Sequence, residues 1–413
     1  MAQFQSWLHI FYQRLFPFTD FYRWLAYGEM SKGYFANREW SFTLASDVYI
    51  RFQSYKTADE LKSEILRLCP VKIDIGAVYN IAPKDKKTVG PSAFRPRERE
   101  LVFDIDMTDY DDIRTCCSGA EICLKCWDFM TISIKILHRA LTEDFGFKHL
   151  LWVYSGRRGV HCWVADERAR SMSPEARSAV VAYLEVVKGG YHQRGQGDED
   201  PMDERNFHPS LVRAYAVLKK HFAKTILLNM DVLGSREHWM KLLQLVPDHE
   251  MRTRLDKEWT DETPDSDSGT TSEERWNRIV GELRGKKGAA FETADRAIIF
   301  RYTYPRLDAN VSIGLNHLLK APFCVHPKTG RVCVPIDPTQ CDTFNPLTVP
   351  TIQSLLDELN AWSAKNNNPS YIEAENYQKT SLEPYVKYFR QGFLDPMASE
   401  VRQRMRERVD MSF

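Results

Sequence analysis

Asp104 and Asp106 stand two residues apart in Leu101-Val102-Phe103-Asp104-Ile105-Asp106-Met107, an apolar, branched and aromatic run bounded by Thr108-Asp109. Such a run reads as a strand. Alternation then turns both carboxylates to one side and Phe103, Ile105 and Met107 to the other. Two carboxylates one pleat apart repel each other, and a divalent cation held by both is the usual reason for the arrangement. Hard oxygen ligands suit Mg²⁺ or Mn²⁺, and two such ions about 3.5–4 Å apart can activate both oxygens of a phosphoryl transfer. The plain alternative is a strand that ends at the surface, with Asp109, Asp111 and Asp112 as a solvated acidic loop. Asp-x-Asp alone does not choose between them.

Other residues carry chemistry of their own. Cys116, Cys117, Cys123 and Cys126 place four thiols within eleven residues. In a reducing compartment that spacing points to tetrahedral Zn²⁺, because thiolates are the soft ligands zinc prefers. A site with four protein ligands is closed, so this zinc would brace a loop rather than react. Ser155-Gly156-Arg157-Arg158-Gly159 joins two strand-like runs, 149–154 and 160–164. Glycines flanking two arginines give a tight turn that presents guanidinium groups and backbone N–H donors together, a combination suited to phosphates. A basic hairpin tip in solvent is the competing reading. Further on, Asp308 adds an acid in an apolar setting, and Lys320, His326, Lys328 and Arg331 gather around a strand and turn. Three carboxylates, an Arg-Arg turn, a Lys and His group and a zinc knot are the parts of a metal-dependent nucleotidyl transferase.

Elements must hold these parts in place. The stripe Phe4, Trp7, Leu8, Phe11, Tyr12, Leu15, Phe16 has helical spacing and stops at Pro17. Residues 37–44 and 48–52 read as a hairpin, in which Glu39 and Arg51 look like paired surface charges. Thr57 caps a helix to Leu68, and 71–79 is a strand. Residues 127–144 read as helix. From Pro174 to Arg284 charged residues dominate and apolar ones recur at helical spacing, as in a helical insertion, with polar stretches at 195–200 and 261–274. Asn316 to Lys320 reads as a helix end, Asn366 to Ser370 as a linker, and Arg402, Arg404, Arg406 and Arg408 as a basic tail helix, solvated or docked on a partner.

The 413 residues hold 56 Lys and Arg against 56 Asp and Glu. Zero formal charge excludes a global attraction to nucleic acid and leaves local basic patches to do any binding. No apolar run is long enough to span a membrane, and the N-terminus has no secretory pattern. Nine cysteines, an odd number, then fit metal or buried thiols rather than a disulfide frame. Cys69, Cys162, Cys324, Cys333 and Cys341 read as core fillers.

In order along the chain, VFDIDMTDYDD, the CC…CxxC knot, YSGRRGVHCW, PRLD and NHLLK followed by HPKTGR resemble the catalytic (small) subunit of eukaryotic DNA primase, in the archaeo-eukaryotic primase superfamily. The resemblance runs to about Val349 and is weak through the helical insertion and the tail. It implies a mixed α/β catalytic core with a zinc-binding motif and an inserted helical subdomain. The expected divisions are 1–173 and 291–362 for the core, 174–290 for the helices and 363–413 for a linker and tail. It makes Asp104, Asp106 and Asp308 the catalytic ligands of two Mg²⁺ or Mn²⁺ ions, and sets Glu39 beside them despite the plain reading above. It assigns nucleotide binding to Ser155, Gly156, Arg157, Arg158, Gly159, Val160 and His161, and to His317, Leu318, Leu319, Lys320 and His326. Structural zinc falls to Cys116, Cys117, Cys123 and Cys126. The implied partners are an iron–sulfur large subunit, the catalytic and accessory subunits of DNA polymerase α, a single-stranded DNA template, an RNA primer and NTPs, in the nucleus and away from membranes. Two alternatives differ in class. A stand-alone primase-polymerase for repair or damage tolerance would carry an extra zinc-ribbon or helicase module, and the sequence shows none. A non-catalytic nucleic-acid-binding subunit would have no need of all three aspartates.

Overall fold

The computed structural model describes residues 2–29, 33–186, 207–262, 270–365 and 376–410. The polar stretch 195–200, residues 263–269 of the acidic loop and the linker 366–370 lie outside the described residues.

The apolar N-terminal stripe forms helix α1 (Ala2–Arg14), which buries Leu8, Phe11 and Tyr12, and Pro17 closes it. A second helix follows at once, α2 (Phe18–Leu25), with Phe18, Phe21, Trp24 and Leu25 buried. Next come strands β1 (Arg38–Thr43) and β2 (Tyr49–Gln53), helix α3 (Ala58–Leu68) and strands β3 (Lys72–Tyr79), β4 (Pro96–Glu98) and β5 (Leu101–Asp106). Thr57 caps α3 by accepting from Glu60 N at 3.2 Å, as its residue type predicts. After helix α4 (Leu124–Arg139) the chain makes strands β6 (Leu150–Tyr154) and β7 (Gly159–Val164). Helices α5 (Glu167–Arg170), α6 (Pro174–Leu184), α7 (Pro209–His221), α8 (Arg236–Leu243), α9 (His249–Asp261), α10 (Ser272–Arg284) and α11 (Ala289–Thr303) follow. The last part holds α12 (Ala309–Ile313), β8 (Leu319–Lys320), β9 (Pro335–Ile336), α13 (Ile352–Lys365), α14 (Glu383–Tyr388) and α15 (Asp395–Asp410). The fold is mixed α/β.

The chain forms two compact units. One comprises Met1–Asp104, Gly146–Val181 and Asp308–Phe413, and the other Ile105–Phe145 and Ala182–Leu307. The first unit carries two sheets. In one the order is β2-β1-β3-β4, with β8 also pairing β3; in the other it is β5-β7-β6-β9. β1 and β2 are the antiparallel hairpin the sequence predicts. Residues 316–320 are not a helix end: Leu319 and Lys320 pair antiparallel with Ile75 and Asp74. Two residues are too few for local propensity to decide, and the open edge of β3 decides instead. The tail helix α15 also departs from expectation. It buries Met397, and Arg404 bonds to Glu167 Oε2 at 3.0 Å, so one side docks on its own chain.

The second unit is nearly all helix around an aromatic core. Phe222 lies 4.7 Å from Trp276, ring centre to ring centre, and Arg275 stacks on Trp239 and Trp259. Three of its surface arginines are paired internally, Arg236 with Asp256, and Arg254 and Arg278 with Glu258 and Glu282. No helix among the described residues is long and apolar enough to cross a membrane.

Candidate active site

β5 buries Leu101, Val102, Phe103 and Ile105 and leaves Asp104 and Asp106 partly open, the alternation its sequence predicts. Asp104 has His161 Nε2 at 3.6 Å across the sheet. Asp308 N donates to Asp104 O at 3.2 Å, which fixes the third aspartate's backbone against the first. Asp308 does not sit in an apolar setting. It is exposed and caps α12, its Oδ1 accepting from Asn310 N at 3.0 Å, a role Asp fills because its short carboxylate reaches an orphan helix N–H. Arg99, 1% exposed, grips the other end of α12 by donating to Val311 O at 2.9 Å and Gly314 O at 2.8 Å. Asp106 ends β5, in the second unit, and its Oδ1 accepts from Thr108 N at 2.9 Å and Thr108 Oγ1 at 2.8 Å.

The Arg157-Arg158 turn is not a tip in open solvent. Ser155 O accepts from Lys320 Nζ at 2.9 Å, and Gly156 O from Thr329 Oγ1 at 2.7 Å. Gly156 takes φ +88°, and a Cβ there would lie 2.7 Å from His326 Cβ, so only glycine fits. Ser155 Oγ accepts from Gly159 N at 3.0 Å and closes the turn, while Val160 is buried in β7. The segment 324–333 doubles back through a Val325–Val332 bridge and a turn in which Gly330 N donates to His326 O at 2.8 Å. Burial holds the His326 imidazole down to about 3, helped by Lys320, Arg157, Lys328 and Arg158. All four cations disfavour a charge on this imidazole. Burial, with Lys320 and Lys72 nearby, holds His161 down to about 3 as well.

The ordinary imidazole value is about 6.5. Above it both histidines are neutral folded or unfolded, and stability is fully present. As pH falls from about 6.5 toward about 3, the unfolded chain takes up protons that the folded chain refuses, so stability declines across that window. We expect the imidazole proton resonances of His161 and His326 to show no titration between pH 5 and 8. A transition in that range at His326 would remove the cation cluster from this account.

Glu39 is paired with Arg51, as spacing predicts, but the pair is not a surface one. Glu39 is fully buried and accepts from Arg51 Nε at 3.0 Å, Phe52 N at 3.3 Å and Tyr79 Oη at 3.1 Å. Gly76 makes room for it, since a Cβ there would lie 2.6 Å from Leu318 Cδ2 and 3.0 Å from Glu39 Cβ. Leu318 is half-buried and Leu319 buried, while His317 is exposed. Asp74, an acid in the apolar strand KIDIGAVY, escaped assignment although its signal matches that of Asp104. It is 1% exposed, opposite Ser41 and Lys320 in the sheet, with Lys72 Nζ at 3.0 Å. Burial raises its carboxyl above the ordinary value.

The four cysteines of the second unit do converge. Among the described residues they form the one set of three or more possible ligands whose donor atoms all lie within 4.8 Å of one another. Cys123 Sγ is 3.5 Å from Cys116 Sγ and 3.9 Å from Cys126 Sγ. Tetrahedral zinc with bonds of about 2.3 Å needs sulfurs about 3.8 Å apart, so the donors fit. The Cys116 thiol, the Cys123 backbone N–H and Arg114 hold the Cys126 thiol below its usual range. Arg114 also laces the loop from inside, donating to Glu121 O at 2.8 Å, Gly119 O at 2.9 Å and Asp111 Oδ1 at 2.6 Å.

Residues 103–338 match the family model described as DNA primase small subunit. The chain is 42% identical over 427 residues to the DNA primase small subunit of Schizosaccharomyces pombe, across 98% of this chain and 92% of the relative. The chain belongs to the DNA primase small subunit family. The corresponding subunit of Drosophila melanogaster is 42% identical across 92% of this chain and 88% of its own, and that of Saccharomyces cerevisiae 35% across 98% and 94%. The primase family stretch takes in all three aspartates, the four cysteines, the arginine turn and residues 317–326, while Glu39 lies outside it.

Proposed function

We infer that this chain is the catalytic subunit of a DNA primase, a nucleotidyltransferase that polymerises NTPs into short RNA primers on single-stranded DNA. The observation that carries the site is the docking of the Arg157-Arg158 turn onto Lys320 and Thr329, in the unit where Asp308 is tied to Asp104. Catalysis in the family is metal-dependent. Asp104, Asp106 and Asp308 offer only hard oxygen donors, the set that suits Mg²⁺ or Mn²⁺. When bound there, two divalent ions would lower the pKa of the primer 3′-hydroxyl and offset charge at the α-phosphate. Arg157, Arg158 and Lys320 orient the triphosphate and favour pyrophosphate as leaving group. His326 and His161, kept neutral, can accept or donate a hydrogen bond without adding charge. Buried Glu39 holds Arg51 and Tyr79 beside Gly76, and Arg51 also donates to Asn316 O. The remaining implied nucleotide contacts, at His317 and Leu318, border this ground.

The family reading also brings an iron–sulfur large subunit, DNA polymerase α, a nuclear setting and the division into catalytic core and helical subdomain. The purified chain, given single-stranded DNA, NTPs and Mg²⁺ or Mn²⁺, should make short RNA. Template binding without any product would favour a non-catalytic subunit.

The cysteine site takes zinc in this reading. One tightly bound zinc per chain is expected, and Cys123→Ser should lose it and speed amide exchange across 114–126, because three thiolates leave the shell incomplete. Folded, active protein without zinc would contradict this.

A further inference from the structure

The chain is neutral overall, yet one strip of the first unit holds exposed cations that pair with no carboxylate among the described residues. Lys84, Lys86 and Lys87 lie on a 3₁₀ turn, Pro83–Thr88, and Arg95 and Arg97 lie at β4; all five are exposed. Among the described residues none of the five pairs with a carboxylate, whereas Arg236, Arg254 and Arg278 of the helical unit are laced to acids. The acids within the strip are Asp85 and Glu98, and Glu98 is engaged by Tyr34 Oη at 2.9 Å and Arg170 Nε at 3.5 Å.

Aromatic rings are set among these cations. Lys86 Nζ lies 3.6 Å from the centre of the Phe52 ring, and Arg51 approaches the same ring at 4.7 Å. Phe94 stacks on Tyr79 at 4.2 Å with planes 9° apart and meets Phe52 edge-on at 5.9 Å. Phe52 takes φ +60°, a strained conformation for a bulky residue, and its N–H bonds to Glu39. The loop is tied down: Lys84 N donates to Ser54 Oγ at 3.3 Å, and Asn80 accepts from Arg95 N at 2.9 Å and donates to Ala93 O at 2.7 Å.

Exposed cations with no paired acid, interleaved with partly open aromatic rings on a fixed frame, are what a single-stranded polynucleotide binds, phosphates to the charges and bases to the rings. We propose that the strip formed by Lys84, Lys86, Lys87, Arg95, Arg97 and the Phe52–Phe94 rings carries the single-stranded DNA template past the buried Glu39. The proposal rests on the primase reading. Phe52 N and Tyr79 Oη, the latter on the ring that Phe94 stacks on, both bond to Glu39, so the strip abuts that side chain.

The test uses the full chain, fluorescein-labelled oligo-dT and oligo-rU of equal length, and anisotropy over a salt series. Lys84→Ala with Lys87→Ala changes two exposed side chains without described partners, so the melting midpoint should hold. Losing two phosphate contacts should flatten the slope of log K against log salt by about 1.4 for DNA. The template KM should rise about fivefold or more by the same loss of contacts, with the NTP KM at saturating template unchanged. Phe94→Leu should weaken DNA binding about tenfold with the salt slope unchanged, the mark of a lost stack. An unaltered slope in the double variant overturns the proposal. So does loss confined to oligo-rU, which would give the strip to the RNA strand. A wild-type chain that makes no primer, with the flattened slope still seen, would sink the primase reading and keep the strip.

Discussion

Asp106→Asn should abolish primer synthesis, by at least ~1,000-fold or about 4 kcal/mol of transition-state stabilisation, and leave the fold standing. The amide keeps the shape and keeps Oδ1, the atom that accepts from Thr108 N and Thr108 Oγ1, so the turn after β5 stays capped. What is lost is the charge that offsets a divalent ion. Removing one of two carboxylates one pleat apart on β5 also relieves repulsion, so the thermal midpoint should stay level or rise. Activity and melting measured on one preparation separate the cases. If the carboxylates only end a strand, synthesis stays near wild type; substantial primer made by the folded Asn variant would refute the two-metal assignment.

Arg158→Ala should lower kcat/KM for the nucleotide by about 2–4 kcal/mol, the scale of one lost transition-state donor. A guanidinium that meets phosphates in the ground state and gains as charge builds on them, the role proposed for Arg158, makes KM rise and kcat fall together when it is removed. The backbone of the turn keeps two anchors in this variant, since Lys320 and Thr329 hold the carbonyls of Ser155 and Gly156. Steady-state kinetics on a variant of unchanged melting point reads the effect. Unchanged kinetics would demote the turn to scaffold.

The parts of the site that announce themselves are those with short-range grammar. Asp104 and Asp106 announce themselves because alternation along one strand fixes their side, and the cysteines because four thiols lie close in sequence. The arginine turn does so because glycine pairs mark tight turns. Residues fixed by distant strands are less legible. Glu39 looks like half of a surface pair because nothing in the hairpin reveals that β3 covers it with Gly76 and Tyr79. Lys320 cannot be placed opposite Asp74 without knowing that β8 joins β3. Arg99, in the charged run Arg97 to Glu100, resembles a solvated residue yet is buried beneath α12. Asp308 stands out as an acid among apolar residues, while its capping role is legible only in the Ala-Asn-Val that follows it as a helix start. α2 was hidden, its aromatic density masking the helical spacing.

The central claim is that three aspartates hold two divalent ions. Titrating Mn²⁺ into the full chain with a non-hydrolysable NTP, and reading free Mn²⁺ by electron paramagnetic resonance, tests it without relying on turnover. The expected result is about two ions per wild-type chain, as a two-metal site requires, and weaker or reduced uptake in Asp308→Asn, whose amide keeps the Oδ1 that caps α12. Equal stoichiometry and affinity in the two proteins would contradict the account.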